Sequence, residues 1–311
     1  IVDKIGILGL PLAEKLSQEG TVVLVSQESP FLDKVIHIPF EKKIPKAAQT
    51  QKLNYKTHFR SGDEKISLVS SGHILGSSQV VIEGEKKIVT TTDFKLQDSI
   101  LQKGAEIIPC DVLVIESTFG KKEFSFPSRE EVYLEMEKWL AHAQKNNLLA
   151  VVAGYATGKA QELTKIVNEF SSMTPFVHDS IFEKNTIAEE HGFNLGDFVK
   201  IDHNLKDAEV LILPPQFCSP QILHAISVSA RKPIVSSKCT GWGWKDGFDS
   251  SFRLSDHADY EQLLEYVRVA QPKQVYTHHG FENELARAIQ KELNISARPL
   301  SEAKQLALAM Y

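Results

Sequence analysis

Residues 111–120 read DVLVIESTFG, a nearly all-apolar run that closes on polar residues. Positions 112–115 are apolar and mostly β-branched, which predicts a strand covered on both of its faces. The strand ends on a carboxylate, Glu116, followed by Ser117 and Thr118. A single carboxylate at a strand end is more often structural than catalytic. The role of Glu116 therefore depends on which other polar groups the fold brings to it.

The segments before and after this strand differ in rhythm. Upstream, residues 65–70 and 79–83 are predicted strands, and residues 87–92 form a hairpin with the second of them. Downstream, from about residue 128 to residue 237, short apolar strands alternate with helical patterns. Repeated β-α-β units of this kind predict a parallel, doubly wound sheet. The β-rich start and the end of the chain form one domain in this prediction, with the parallel unit inserted between them.

Composition and charge restrict the function classes. The 311 residues are 42% hydrophobic and 24% charged, which is ordinary for a globular protein. No apolar run approaches the roughly 20 residues that span a bilayer, so we expect no membrane partner. The net charge of −5 provides no general basic field for nucleic acid, so a polyanion would need a local basic groove or a metal.

The cysteines indicate the compartment. Cys110, Cys218 and Cys239 are far apart and odd in number, which argues against a disulfide framework and against a Cys-rich zinc site. The pattern is typical of a reducing interior, and we expect a cytoplasmic protein. No signal-peptide pattern occurs at Ile1, and because this residue is not Met we expect further residues upstream.

Polar residues follow the ends of several other predicted strands. They occur in GHILGS (72–77), TTDF (91–94), SDHAD (255–259) and THHG (277–280). Taken singly, each His or Asp is most simply structural, but three histidine motifs and two carboxylates at strand ends are harder to dismiss. Histidine and aspartate together are the usual nitrogen and oxygen ligands of zinc or manganese. The sequence thus contains a candidate metal centre.

The order of these motifs, with ESTFG between the second and third, resembles the metallo-β-lactamase superfamily and specifically its β-CASP nuclease branch. That branch includes messenger-RNA 3′-end processing endonucleases and bacterial ligase-associated DNA exonucleases. The resemblance covers nearly the whole chain. It implies an α/β fold in which an αββα metallo-β-lactamase sandwich carries an inserted β-CASP α/β cap, with nucleic acid in the cleft between them. The expected domains are 1–120 and 240–311 for the core and 121–239 for the cap.

The resemblance also implies roles for individual residues. His73 matches a ligand of a first metal, Asp93 matches the carboxylate that bridges two metals, and His279 matches a ligand of the second. His257 matches the general acid toward the leaving 3′ oxygen, and Glu116 matches its orienting partner. Two Zn²⁺ ions are expected, with Mn²⁺ as the alternative. Such a pair, about 3.5–4 Å apart, activates a bridging water and neutralises charge in the transition state.

One family motif is degraded. The H-x-H-x-D-H motif should end at Lys4, so Ile1 and Lys4 stand where histidines are expected and only Asp3 remains as a metal ligand. Thr92 also replaces a glycine before the bridging aspartate. A protonated lysine cannot coordinate a metal and repels a dication, so we expect weaker metal sites, with the Lys4 ammonium close to Asp3 or Asp93.

Nucleic-acid contacts should come from a few cleft residues, because the chain is acidic overall. Lys159, Lys238 and Lys245 are the candidate cations, and Trp242 and Trp244 could stack on bases. The alternative for the two tryptophans is packing at the hinge of the cap.

Two functional hypotheses remain open at this point. The first is a metal-dependent nuclease that hydrolyses phosphodiester bonds of RNA or single-stranded DNA, as in RNA 3′-end processing or DNA exonuclease action. The second is a catalytically impaired subunit that binds nucleic acid, a second copy of itself or a catalytic paralogue. A hydrolase of small phosphate or thioester substrates is a weaker third reading, because such an enzyme needs no long cap.

Overall fold

A computed structural model describes residues 22–26, 49–202, 204–243 and 246–301. Asp3, Lys4, Trp244 and Lys245, which the sequence singled out, lie outside these residues.

The described residues form strands and helices whose bounds follow in chain order. The strands are β1 (Val22–Ser26), β2 (Gln49–Leu53), β3 (His58–Ser61), β4 (Glu64–Ser70), β5 (Ser78–Glu83), β6 (Lys87–Thr90), β7 (Val112–Ser117), β8 (Leu149–Ala153), β9 (Pro175–Val177), β10 (Val199–Lys200), β11 (Val210–Leu213), β12 (Ile234–Cys239), β13 (Ser250–Phe252), β14 (Gln274–Gly280) and β15 (Ser296–Pro299). The helices are α1 (Arg129–Lys145), α2 (Lys159–Phe170), α3 (Asp179–Glu190), α4 (Pro220–Ala230), α5 (Tyr260–Ala270) and α6 (Glu282–Ala288).

A seven-stranded mixed sheet has the order β15-β14-β7-β6-β5-β4-β3. The strands β15, β14, β7 and β6 are parallel to one another, whereas each of the pairs β6–β5, β5–β4 and β4–β3 is antiparallel. The predicted hairpin between β5 and β6 and the predicted buried strand β7 are confirmed, since β7 is buried from Leu113 onward. Strands β1 and β2 form a separate parallel pair. We call the seven-stranded sheet, together with the described residues after β2 that lie outside 129–252, the core lobe.

The middle of the chain forms a second sheet of its own. Its six strands, in the order β10-β9-β11-β8-β12-β13, are all parallel. Strands β8 and β11 are wholly buried, as expected for a sheet with helices on both faces. The edge strand β13 pairs with β12, although its residues fall in the segment expected to return to the core. The sheet therefore extends past the boundary expected at residue 239. We call residues 129–252 the cap lobe.

Local sequence signals explain where the first two cap helices begin. Ser128 caps α1 in a capping box with Glu131. Helix α2 starts after Gly158, whose φ of 82° disfavours any residue with a side chain. A Cβ at Gly158 would also overlap the side chain of Ile74 in the core lobe. This glycine therefore lets the start of α2 press against the loop that carries His73.

None of the helices within the described ranges is long and apolar enough to cross a bilayer.

The helices of the cap lobe are held by a continuous apolar core. Leu163 on α2 is fully buried among residues of α1, β8 and β11. We expect Leu163→Ala to lower the free energy of unfolding by about 2–5 kcal/mol, because it removes buried methyl groups and leaves a cavity. Urea unfolding followed by circular dichroism measures this change. The control is Val228→Ala on α4, a side chain that is 65% exposed and should change stability by less than about 0.5 kcal/mol. Equal effects of the two substitutions would contradict this packing.

Candidate metal centre

The loops that follow β4 and β6 bring two predicted ligands together. His73 follows a Gly72 with positive φ, and Asp93 follows Thr92, which also has a positive φ. The His73 Nε2 and Asp93 Oδ2 atoms are 3.9 Å apart. Two ligand atoms at about 2.0–2.2 Å from one zinc ion can be at most about 4.4 Å apart, so this separation fits a shared ion. His257 contributes a third ligand-type atom, and all three lie within 4.8 Å of one another.

The ring of His73 is oriented from behind. Its Nδ1 lies 3.0 Å from the backbone carbonyl oxygen of Asp256. A carbonyl only accepts hydrogen bonds, so Nδ1 carries the proton and Nε2 presents a lone pair toward Asp93. Burial lowers the pKa of His73, and the nearby positive charge of His257 lowers it further. The imidazole is therefore neutral near pH 7, as metal coordination requires.

Glu116, which is fully buried, forms an ion pair with the partly buried His257. His257 Nδ1 lies 3.0 Å from both carboxylate oxygens of Glu116, which also accepts a hydrogen bond from the Phe94 backbone N–H. Burial opposes the charge on each group, but their attraction exceeds it: the pKa of Glu116 falls to about 2 and that of His257 rises to about 9. At pH 7 His257 therefore carries protons on both nitrogens, and its Nε2–H is available to a substrate.

His279 does not join the group formed by His73, Asp93 and His257 in the described residues. The pairing of β14 with β7 shifts register between His278 and Gly280, and His279 has a φ of 61°. This bulge leaves the His279 side chain exposed, with Nδ1 3.4 Å from Thr118 Oγ1. The expected convergence of His279 with the other two ligands is thus not reproduced, and its coordination of a metal stays a prediction.

The neighbouring His278 was missed by motif matching. It pairs in register with Glu116 and so shares that residue's face of the sheet. Its Nε2 is buried and has no hydrogen-bond partner among the described residues, which is the state expected of a nitrogen kept for a ligand. Burial lowers the pKa of His278, opposed by the charges of Glu116 and Asp93, so its ring is neutral. Adjacent strand residues point to opposite faces of a sheet. The sequence alone therefore left open which of the two histidines, His278 or His279, faces the site.

Lys159, one of the cations expected to contact nucleic acid, is not accessible at the surface of this structure. Its side chain is only 2% exposed, and Nζ lies 2.8 Å from Asp256 Oδ1. The physical reason is the close packing of the α2 N-terminus on the loop of residues 255–257. Lys238 is partly exposed and forms an ion pair with Asp246, which reduces its free charge. Lys245 and Asp3 lie outside the described residues, and their roles stay predictions.

Trp242 belongs to an aromatic cluster between the lobes. Its ring centroid lies 4.8 Å from that of Phe119, 5.5 Å from that of Phe124 and 6.4 Å from that of Phe281. Phe119 directly follows the polar residues 116–118 and is buried. These contacts favour hinge packing, the alternative raised for the tryptophans, over base stacking.

A small pocket beside His257 contains cations that the sequence did not single out. Lys95, Arg129 and Arg253 line it together with His257. Arg253 is exposed, whereas burial, together with the charge of Arg129, lowers the pKa of Lys95 to about 8. Lys95 and Arg129 are only 3% and 4% exposed, so of these three cations Arg253 is the one whose charge reaches the solvent.

Residues 250–298 match the family described as Zn-dependent metallo-hydrolase RNA specificity domain. The chain is 29% identical over 82% of its length to a Probable DNA ligase of Opitutus terrae, of which it spans 25%. It is 28% identical over 56% of its length to the Probable RNase MJ4 of Methanocaldococcus jannaschii, of which it spans 42%. A protein of Acidianus ambivalens known as Uncharacterized protein in lig 3′region is 32% identical over 45% of the chain and is 98% covered.

The chain thus spans less than half of the ligase and of the RNase that it matches. The segment that matches the family model includes His257, His278 and His279. The family match therefore agrees with the cluster of polar residues at the strand ends and with the inserted parallel sheet. From these observations we conclude that the chain belongs to the metallo-β-lactamase superfamily, in its β-CASP nuclease branch.

Proposed function

We propose that this chain is a metal-dependent nuclease that hydrolyses phosphodiester bonds of RNA. The observation that carries the proposal is the Glu116–His257 pair, with His257 adjacent to the ligand atoms of His73 and Asp93. A protonated imidazole next to two metal-ligand atoms matches the requirements of phosphodiester cleavage. The family description, which specifies RNA, and the similarity to an RNase support RNA as the substrate.

Zinc is the metal that the donor set and the family description support. His73 and Asp93 would hold it, with His278, His279 and Asp3 as further candidate ligands. Bound zinc would polarise a water and neutralise charge on the phosphate. Mn²⁺ is the alternative for the same nitrogen and oxygen ligands.

The proton needed by the leaving oxygen comes from His257. Its Nδ1–H is engaged by Glu116, so the ring is fixed and the proton on Nε2 is the one free to move. As the bond from phosphorus to the 3′ oxygen breaks, Nε2–H donates to that oxygen and removes its developing negative charge. Glu116 remains ionised throughout and stabilises the positive ring before transfer. Arg253, which is exposed and lines the pocket beside His257, would provide positive charge for a phosphate, whereas Lys95 and Arg129 are buried.

Single-stranded DNA is the second candidate substrate, because the relative with the greatest coverage of this chain among those described is a probable DNA ligase. The impaired-subunit hypothesis, with a homodimer or a catalytic paralogue as partner, depends on Asp3 and Lys4, which lie outside the described residues. We further propose a cytoplasmic location, which the three unpaired thiols, Cys110, Cys218 and Cys239, support.

A cleavage assay separates these hypotheses. End-labelled RNA and single-stranded DNA of the same sequence are incubated with the chain and Zn²⁺ or Mn²⁺. We expect RNA to be cleaved faster than DNA, and His257→Asn to lower kcat by about 10²–10⁴-fold because the general acid is removed. Faster cleavage of DNA would favour the second substrate. A zinc-loaded chain that cleaves neither strand, or a His257→Asn variant as active as the wild type, would reject the nuclease proposal.

The pH dependence of kcat tests the acid. The pKa of His257 is raised to about 9, so the protonated form is present below this pH and is lost as pH rises through it. We expect kcat of the metal-loaded chain to fall on that alkaline side. In Glu116→Gln, burial acts on His257 without the opposing carboxylate, and the fall should begin about 2 pH units lower. The control Glu123→Gln removes an exposed carboxylate and should leave the profile in place. An unshifted profile in Glu116→Gln would contradict the pairing.

A further inference from the structure

Five charged side chains are buried together where the cap lobe meets residues 255–257. They are Lys95, Arg129, Lys159, Glu162 and Asp256. Three of them come from helices α1 and α2 of the cap lobe and two from the core lobe. Buried ion pairs of this kind add little net stability compared with apolar residues of the same volume. Their cost is more readily explained if they fix a geometry.

Two cations of the cap lobe hold consecutive residues of the loop. Arg129 donates from Nη1 to the Ser255 carbonyl oxygen at 2.6 Å, and Lys159 donates from Nζ to Asp256 Oδ1 at 2.8 Å. Arg129 is itself fixed by Glu162, which accepts two of its hydrogen bonds at Oε1. The loop that precedes His257 is therefore attached to the cap lobe by charge-assisted hydrogen bonds, which are stronger than neutral ones.

Asp256 also lies at the start of helix α2. Its Oδ2 lies 3.9 Å from the position that a Cβ on Gly158 would take. A carboxylate near a helix N-terminus is favoured by the unpaired backbone N–H groups and the helix dipole. Burial opposes the charge, but Lys159 and Lys95 hold the pKa of Asp256 well below its usual range. The ionised side chain of Asp256 is thus held at the cap lobe by Lys159, with the Arg129 guanidinium 4.0 Å from the same carboxylate oxygen.

The same residue supports the metal centre. The Asp256 backbone carbonyl accepts the hydrogen bond from His73 Nδ1, and the next residue is His257. We propose that Lys159 and Asp256 are positioning residues: the ion pair between them transmits the position of the cap lobe to the ring of His73 and to His257. The inference relies on the proposed nuclease function to give this site its role. The contacts among Lys159, Asp256 and His73 do not depend on catalysis. The cap lobe would then fix the orientation of the metal-binding residue His73 in addition to covering the substrate.

Lys159→Met tests the proposal, because it keeps the length of the side chain and removes the charge. The matched control is Lys165→Met on the same helix, where Nζ pairs with the partly exposed Glu169 rather than with the loop. Lys159→Arg restores the charge and should restore the wild-type values in part. The readouts are the affinity for Zn²⁺ alone, from competition with a chelating dye, and the histidine side-chain ¹H–¹⁵N spectrum of the zinc-free chain.

In the wild type, the His73 ring should have its proton on Nδ1. We expect Lys159→Met to lose this single tautomer and to bind Zn²⁺ about 10–100-fold more weakly, whereas Lys165→Met should stay within about twofold of the wild type. In the cleavage assay, kcat should fall while KM changes little. A folded Lys159→Met variant with the wild-type tautomer and zinc affinity would overturn the proposal.

A second variant keeps the test valid if Lys159→Met fails to fold. Lys159→Met combined with Asp256→Asn removes one charge of each sign, so the net charge of the buried cluster stays as it is in the wild type. We expect this double variant to fold and still to lose the His73 tautomer and zinc affinity, and wild-type values would refute the positioning role. Both readouts need no substrate. A wild-type chain without nuclease activity that still shows them would reject the proposed function and retain this inference.

Discussion

The loop of residues 255–257 is held by opposite charges on its two sides. On the core side, Glu116 at the end of strand β7 binds the ring of His257. On the cap side, Lys159 binds the carboxylate of Asp256. Glu116 and Lys159 are almost completely buried, so water screens their charges only weakly and each depends on its partner. Between the two attachments lies the carbonyl group that orients His73, and the loop thereby connects the proposed acid with a proposed metal ligand.

In this chain the candidate site draws on both lobes. The core lobe alone provides Asp93, Glu116 and the strand that carries His278, but the loop with His257 returns to the core only after the chain has completed the parallel sheet with β13. Gly158 allows the cap helix to approach Ile74 closely enough for Lys159 to reach Asp256. The packing of the cap lobe thus fixes the loop that carries His257, whereas the protonation of His257 is set chiefly by Glu116 on the core side.

Much of the fold could be predicted from sequence because it rests on local patterns. The apolar run of β7, the β5–β6 hairpin and the alternation that forms the parallel sheet are all encoded within short windows. The edge strand β13 was missed, since three residues carry no such pattern. The Glu116–His257 contact followed from motif resemblance. The burial of Lys159 could not be predicted, because its partner Asp256 lies far away in the chain and a helix-initiating lysine is usually exposed. The choice between His278 and His279 depends on a bulge that only the folded strand shows.

The protonation state of His257 can be measured directly. Titration of the histidine side-chain nitrogens of the zinc-free chain by ¹H–¹⁵N spectroscopy, with His257→Asn used for assignment, reports which ring nitrogens carry protons. Because Glu116 raises the pKa of His257 to about 9, we expect both of its ring nitrogens to be protonated at pH 7 and the ring to lose a proton near pH 9. A His257 ring that is neutral at pH 7, with a pKa at or below the ordinary value of about 6.5, would show that Glu116 does not hold the imidazole in its charged form.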